Sequence, residues 1–193
     1  MSADPWLERW LPLVRARAGS TPVLELGCGP GFDTRTLTDA GLAVVALDKS
    51  PDAVAEARIR APAATISVGD LLHDLPSVRS GFNVALASLS LHYFGWHDTV
   101  DLFGRVRAAL GRDGVLICRL NSTEDHHFGA SGHPPIEPRY YRVDGEPKRF
   151  FDRADIETLM RDGWTVLALE HRVTDKYVKP KALWELVAER SGG

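Results

Sequence analysis

Glu25-Leu26-Gly27-Cys28-Gly29-Pro30-Gly31 sets three glycines at alternate positions directly behind a short apolar run that holds an acid. Without Cβ atoms, such a loop brings its amides close to a ligand, and a helix opening behind it adds N–H donors and partial positive charge. The chemistry on offer is the grip of the main chain on a polar small molecule. A dinucleotide fingerprint would need glycines at 27, 29 and 32, but position 32 is Phe and the third glycine falls at 31. A glycine loop by itself can also be an ordinary tight turn.

Two further acids stand at comparable places. Asp48 ends the apolar run Val44-Val45-Ala46-Leu47, where a carboxylate can accept hydrogen bonds from both hydroxyls of a ribose. Its plainer use would be to cap the helix from Pro51 onward, but Ser50 already fills that role. Asp70 follows Ser67-Val68-Gly69, within reach of an adenine amino group if its strand ends beside the other two, and on its own it reads as a turn residue. His92 follows a fourth apolar run, and a histidine there can act as a base or shape a pocket rim. His126, His127 and His133 lack a Cys or acidic partner at a ligand spacing, so no metal site is expected.

For these residues to meet, successive strand ends must share one edge. Apolar runs at 23–26, 43–47, 65–68, 82–87 and 115–120 have strand length and the composition of strands buried on both faces. Residues 33–40, 51–60 and 98–110 read as helices between them, the second with Pro51 at its first position. This alternation marks β-α-β units on a parallel sheet. Residues 4–10 read as a short helix capped by Asp4, with Trp6 and Trp10 on one face and Pro12 kinking or ending it. Over 121–150 the rhythm fails among Pro, Gly, His and Tyr, and so long a loop is functional or disordered. A helix at 152–161, capped by Asp152 and stopped at Gly163, precedes strand-like runs at 164–173 and 182–188. Residues 174–181 are too few for a crossover helix, so this pair should be an antiparallel hairpin.

The 193 residues, 44% of them hydrophobic, suit one core, read as a single domain over 1–193 with 1–20 as a helical lid and 121–150 as an irregular insert. With 23 basic against 26 acidic residues, the net charge of -3 gives no drive toward a nucleic-acid backbone. Two cysteines are too few for a disulfide scaffold, Asp4 stands where a signal peptide would be basic, and no apolar run nears the roughly 20 residues that span a bilayer. The expected setting is cytoplasmic, with no membrane partner.

At this point the chain resembles the class I S-adenosylmethionine-dependent methyltransferase family. Glu25 to Gly31 match its glycine motif, Asp48 and Asp70 its ribose and adenine acids, and Phe82-Asn83-Val84-Ala85-Leu86-Ala87-Ser88-Leu89-Ser90-Leu91-His92-Tyr93 its fourth motif. Leu110-Gly111-Arg112-Asp113-Gly114-Val115-Leu116-Ile117 looks like the family's turn into strand five. The resemblance is strong over 21–119 and weak in the last hairpin. It implies an α/β, doubly wound, mostly parallel seven-stranded sheet with helices on both faces and a C-terminal antiparallel hairpin. It also implies that S-adenosyl-L-methionine is held by Glu25, Gly27, Cys28, Gly29, Gly31, Asp48, Lys49, Asp70, Leu71 and Ser88. Two departures stand out: Lys49 occupies a place where the family often has an apolar residue, so its alkyl stem would cover the adenine, and Asn83 replaces a frequent acid.

A methyl group leaving a sulfonium needs mainly proximity, collinearity and exclusion of water. Trp6, Ser90, Tyr93, Asn121 and Tyr140 are the candidates to meet a small-molecule acceptor, with His92 as the candidate base. Trp6 and Trp10 would form a lid or else anchor the first helix, and Tyr140, Tyr141 and Arg142 would contact the acceptor or else pack the insert. Two rival readings remain, a non-catalytic module that binds S-adenosylmethionine and a nicotinamide-dependent oxidoreductase. Glycine spacing and Asp70 argue against the second; residues 88–93 and 121–150 favour an enzyme over the first.

Overall fold

A computed structural model describes residues 5–192; the expected cap Asp4 lies outside the described residues. Seven strands form the main sheet: β1 (Val23–Leu26), β2 (Val44–Asp48), β3 (Thr65–Val68), β4 (Phe82–Ser88), β5 (Leu110–Asn121), β9 (Trp164–Thr174) and β10 (Lys181–Arg190). Their order is β3-β2-β1-β4-β5-β10-β9. The first five run parallel, and β10 is antiparallel to both β5 and β9. The doubly wound sheet with its terminal hairpin is the expected one.

Strand composition follows from burial on both faces. In β4, Val84 and Leu86 face a core shared with α1 (Leu11–Ala18), α2 (Phe32–Asp39) and α3 (Pro51–Arg60), while Ala85 and Ala87 face α4 (Trp96–Ala109) and α5 (Arg153–Met160). Alternate side chains point to opposite faces, so a strand sandwiched between helix layers must be apolar throughout. At the sheet edge β3 leaves Thr65, Ser67 and Val68 exposed. The Ser50 hydroxyl accepts from the Ala53 amide at 3.2 Å. Asp152 opens α5 with a reciprocal capping box to Asp155.

Two expectations are corrected. Pro12 neither kinks nor ends the first helix: a 3-10 turn, Pro5–Trp10, leads into α1, and Pro12 lies in α1's first turn, where its missing N–H costs nothing. Nor is 121–150 irregular throughout. It contains a separate antiparallel sheet, β6 (Pro135–Glu137), β7 (Tyr140–Val143) and β8 (Glu146–Arg149). Strands this short, in a segment rich in proline and glycine, carry almost no periodic signal. Arg149 pins this sheet to the main body: it pairs with Glu137, donates to the Phe94 carbonyl at 3.0 Å, and lies against the Tyr140 and Trp96 rings.

Candidate functional site

The carboxyl ends of β1, β2, β3 and β4 meet at one rim. Gly27, with φ +70°, crosses the segment after β4 so closely that an added Cβ would stand 2.3 Å from the Ser90 Cβ. The Ser90 hydroxyl donates to the Leu26 carbonyl and holds that crossing. Gly29, with φ +51°, faces open space, so its backbone remains approachable. Asp48 accepts from the Gly29 amide at 2.8 Å and the Ser50 amide at 2.9 Å, fixing the glycine loop to the tip of β2. Asp70 accepts from the Leu72 amide at 2.8 Å and so forms a turn as well as standing at the rim.

Three adjoining cavities open there. The first, of about 350 Å³, is lined by Gly27, Asp48, Lys49, Asp70, Leu71, Ser90 and Tyr93, with Phe94, Glu146 and Pro147 closing it. The second, of about 270 Å³, shares Gly27, Asp48, Ser90 and Tyr93 and adds Glu25, Cys28, Gly29, Asp33, Ser88 and Arg119. Leu89, Tyr93 and Tyr177 connect it to a third, of about 250 Å³, which takes in His92, Asn121, Phe128, Lys148 and Lys181. Leu89 sits at this junction with φ 57°, a left-handed conformation that a non-glycine residue holds only under constraint.

The electrostatics differ along the cleft. Burial pushes the Glu25 carboxyl up to about 8 against opposing hydrogen bonds from Thr34, helped by the negative charges of Asp33 and Asp48, and its Oε2 is buried without a hydrogen-bond partner. Burial also raises Asp33, which accepts from the Trp6 indole at 3.1 and 3.2 Å. A buried carboxyl oxygen without a geometric partner, beside a second raised acid, would be ionised and satisfied by a cationic group such as an ammonium. Cys28 is pushed up to about 12, mainly by burial, so its thiol stays protonated and only walls the cleft.

Most residues singled out from the sequence converge here, and three take other roles. Trp6 lines none of the three cavities: its indole braces Asp33, and its ring lies 4.3 Å from the Arg119 guanidinium. Tyr140 is also outside them, its hydroxyl donating to the Tyr93 carbonyl at 2.8 Å. His92 lines the third cavity, but burial and then the Lys181 and Lys148 charges push it down to about 3. Its ring is neutral at physiological pH and a poor proton acceptor, with a buried Nδ1 that has no partner. Asn121 meets the same cavity, accepting from Lys181 Nζ at 2.9 Å. Lys49 reaches over the Tyr93 ring, Nζ 5.3 Å from its centroid. Asn83 lies at the opposite end of β4, where Gly111 packs against it, far along the strand from the rim.

Sequence reasoning missed Arg119, Lys148, Lys176, Tyr177 and Lys181. A signal for three of them was present: a hairpin whose second strand reverses against β5 must put its turn at the carboxyl rim, which places Lys176, Tyr177 and Lys181 over the cleft. Arg119 donates to the Ser88 hydroxyl at 3.1 and 2.8 Å. Lys148 comes from β8, which no periodicity announced.

Comparison with known proteins bears on this geometry. Residues 23–114 match a family model described as a methyltransferase domain. An uncharacterized methyltransferase of Synechocystis sp. is 43% identical over 94 residues, 49% of this chain and 44% of that protein. A trans-aconitate 2-methyltransferase of Paracidovorax citrulli is 32% identical over 114 residues, 57% of this chain and 43% of that protein. The chain thus spans less than half the length of these relatives. In fold it is similar to a SAM-dependent methyltransferase from Methanosarcina mazei, with a TM-score of 0.78 at 15% identity, over 94% of this chain and 98% of that one.

Proposed function

We propose, starting from the match of residues 23–114 to a methyltransferase-domain model, that the chain is a class I S-adenosylmethionine-dependent methyltransferase and that it transfers a methyl group to a small-molecule acceptor. The observation that carries this is the convergence of Gly27, Asp48 and Asp70, from three successive strand tips, on one cavity that continues past the buried Glu25 carboxyl.

S-adenosylmethionine, when bound, supplies a methyl carbon on a positively charged sulfur. The chain's own groups then bind and orient. Asp48 would receive the ribose hydroxyls on the lone pairs that the Gly29 and Ser50 amides leave, and Asp70, Leu71 and the Lys49 stem would border the adenine. Glu25 would meet the ammonium, and the backbone of Gly27 and Gly29 would approach the rest of the methionine portion. Residues 88–93 and the tip of the last hairpin would exclude water and align the acceptor from the third cavity, with neutral His92 as a wall and hydrogen-bonding group. The size of that cavity, about 250 Å³, favours a small acceptor, as does a relative that bears the name trans-aconitate 2-methyltransferase.

Among the described residues no helix is long and apolar enough to cross a membrane. Two buried free thiols fit a reducing cytoplasm.

Calorimetry tests the reading. S-adenosylhomocysteine should bind with micromolar-range affinity and NAD should give no heat; binding of NAD alone would overturn it. Label transfer from methyl-labelled S-adenosylmethionine separates an enzyme from a module that only binds.

A further inference from the structure

Resting on that reading, we propose that the acceptor is a small organic carboxylate held by Lys148 and Lys181 in the third cavity, and that one of its carboxylate oxygens takes the methyl group.

Charge is the first ground. The third cavity has two ammonium groups in its lining and no acidic residue. Lys148 makes no side-chain hydrogen bond or ion pair among the described residues, so its charge is available. Lys181 is fixed by Asn121 at 2.9 Å and Asp125 at 2.6 Å, which use two of its three donors and leave the third. Asp125 offsets much of the Lys181 charge but does not line the cavity: its side chain is wholly buried, with its other oxygen accepting from the Ala182 amide at 3.1 Å, so Lys148 supplies the uncompensated charge and Lys181 a hydrogen-bond donor. One uncompensated ammonium and the remaining donor of a second lysine, in a half-enclosed pocket without a lining carboxylate, select an anion.

The second ground is the shortage of bases. A hydroxyl or ammonium acceptor has a proton to lose, and the titratable candidate at this wall, His92, is neutral and poorly basic. A carboxylate arrives already deprotonated. One of its oxygen lone pairs forms the new O–C bond while the C–S bond breaks and returns its electron pair to sulfur. The sulfonium and carboxylate charges cancel, leaving a methyl ester and a thioether with no proton released. Phe128, Tyr177 and Leu89 receive the acceptor's apolar remainder.

The test titrates protein saturated with S-adenosylhomocysteine with phenylacetate, cinnamate and glutarate, and with the amides of the first two. The acids should bind at least about tenfold more tightly than their amides, the usual scale for a hydrogen bond to a charged group. Label from methyl-labelled S-adenosylmethionine should enter products from which alkali releases methanol. Lys148→Gln should weaken acid binding by about tenfold and leave the amides unchanged, with S-adenosylhomocysteine titrated into the variant to show that the cleft is folded. Equal binding of acids and amides, no binding of any acid, binding without alkali-labile transfer, or transfer only into alkali-stable products would each overturn the proposal. Failure of S-adenosylhomocysteine to bind the unaltered protein would instead remove the reading on which it rests.

Discussion

Asp48 uses its carboxylate twice over, tying Gly29 and Ser50 to the strand tip while it lines both of the larger cavities. Asp48→Ala should therefore weaken S-adenosylhomocysteine binding by about 1.5–3 kcal/mol, the range for hydrogen bonds to a charged group, as read by calorimetry. Unchanged affinity in a folded variant would reduce Asp48 to a turn residue. Glu25 makes a prediction about pH. Its folded value of about 8 lies above its ordinary 4.5, so between these limits the folded state holds a proton that the unfolded state has lost. Stability from this group is present below pH 4.5 and declines as pH rises toward 8. Melting temperature of the unliganded protein should thus fall more steeply over that window than it does in Glu25→Gln; parallel curves would show that Glu25 ionises freely.

At the scale of elements, the crossing of the β1 tip over the segment after β4 decides whether the cleft forms. Gly27 combines a left-handed backbone with a 2.3 Å approach of its missing Cβ to Ser90, whereas Gly29 has the backbone conformation and no atom within 4 Å of where its Cβ would stand. Alanine at either position should cost about 1–3 kcal/mol of backbone strain, and at 27 the steric overlap adds to it. Urea unfolding of the unliganded variants should show the larger loss for Gly27→Ala. An equal loss at the two positions would mean that the crossing relaxes freely. The last hairpin has a comparable function: its reversal at β10 carries residues 175–180 back to the rim that the parallel strands share.

For the molecule as a whole, the site is a seam across the ends of the five parallel strands, the 88–93 segment, the small sheet and the hairpin tip. A ligand lying in it should stabilise the whole chain. At one hundred times its dissociation constant, S-adenosylhomocysteine should add about 2.7 kcal/mol and raise the melting temperature by about 5–10 °C, whereas NAD should not. A rise with NAD and none with S-adenosylhomocysteine, measured by scanning calorimetry, would contradict the assignment of the cleft.

The sheet and the rim of strand-tip residues were legible because their signals are local. Apolar strands, the Ser50 and Asp152 caps, the alternate glycines and the strand-tip acids each act within a few residues, and β-α-β connectivity then brings the tips together. The third cavity was not legible, because its groups come from distant segments with no common period: Lys148 from a four-residue strand, Lys181 from the start of β10, His92 from behind β4. Sequence placed His92 near the acceptor as a base, but its basicity depends on burial and on two lysines that only tertiary packing brings beside it. Likewise Trp6 and Tyr140 read as contacts by residue type, yet their polar atoms are taken by Asp33 and the Tyr93 carbonyl. Local chemistry determined which groups meet at the strand-tip rim; long-range packing decided which charges line the third cavity.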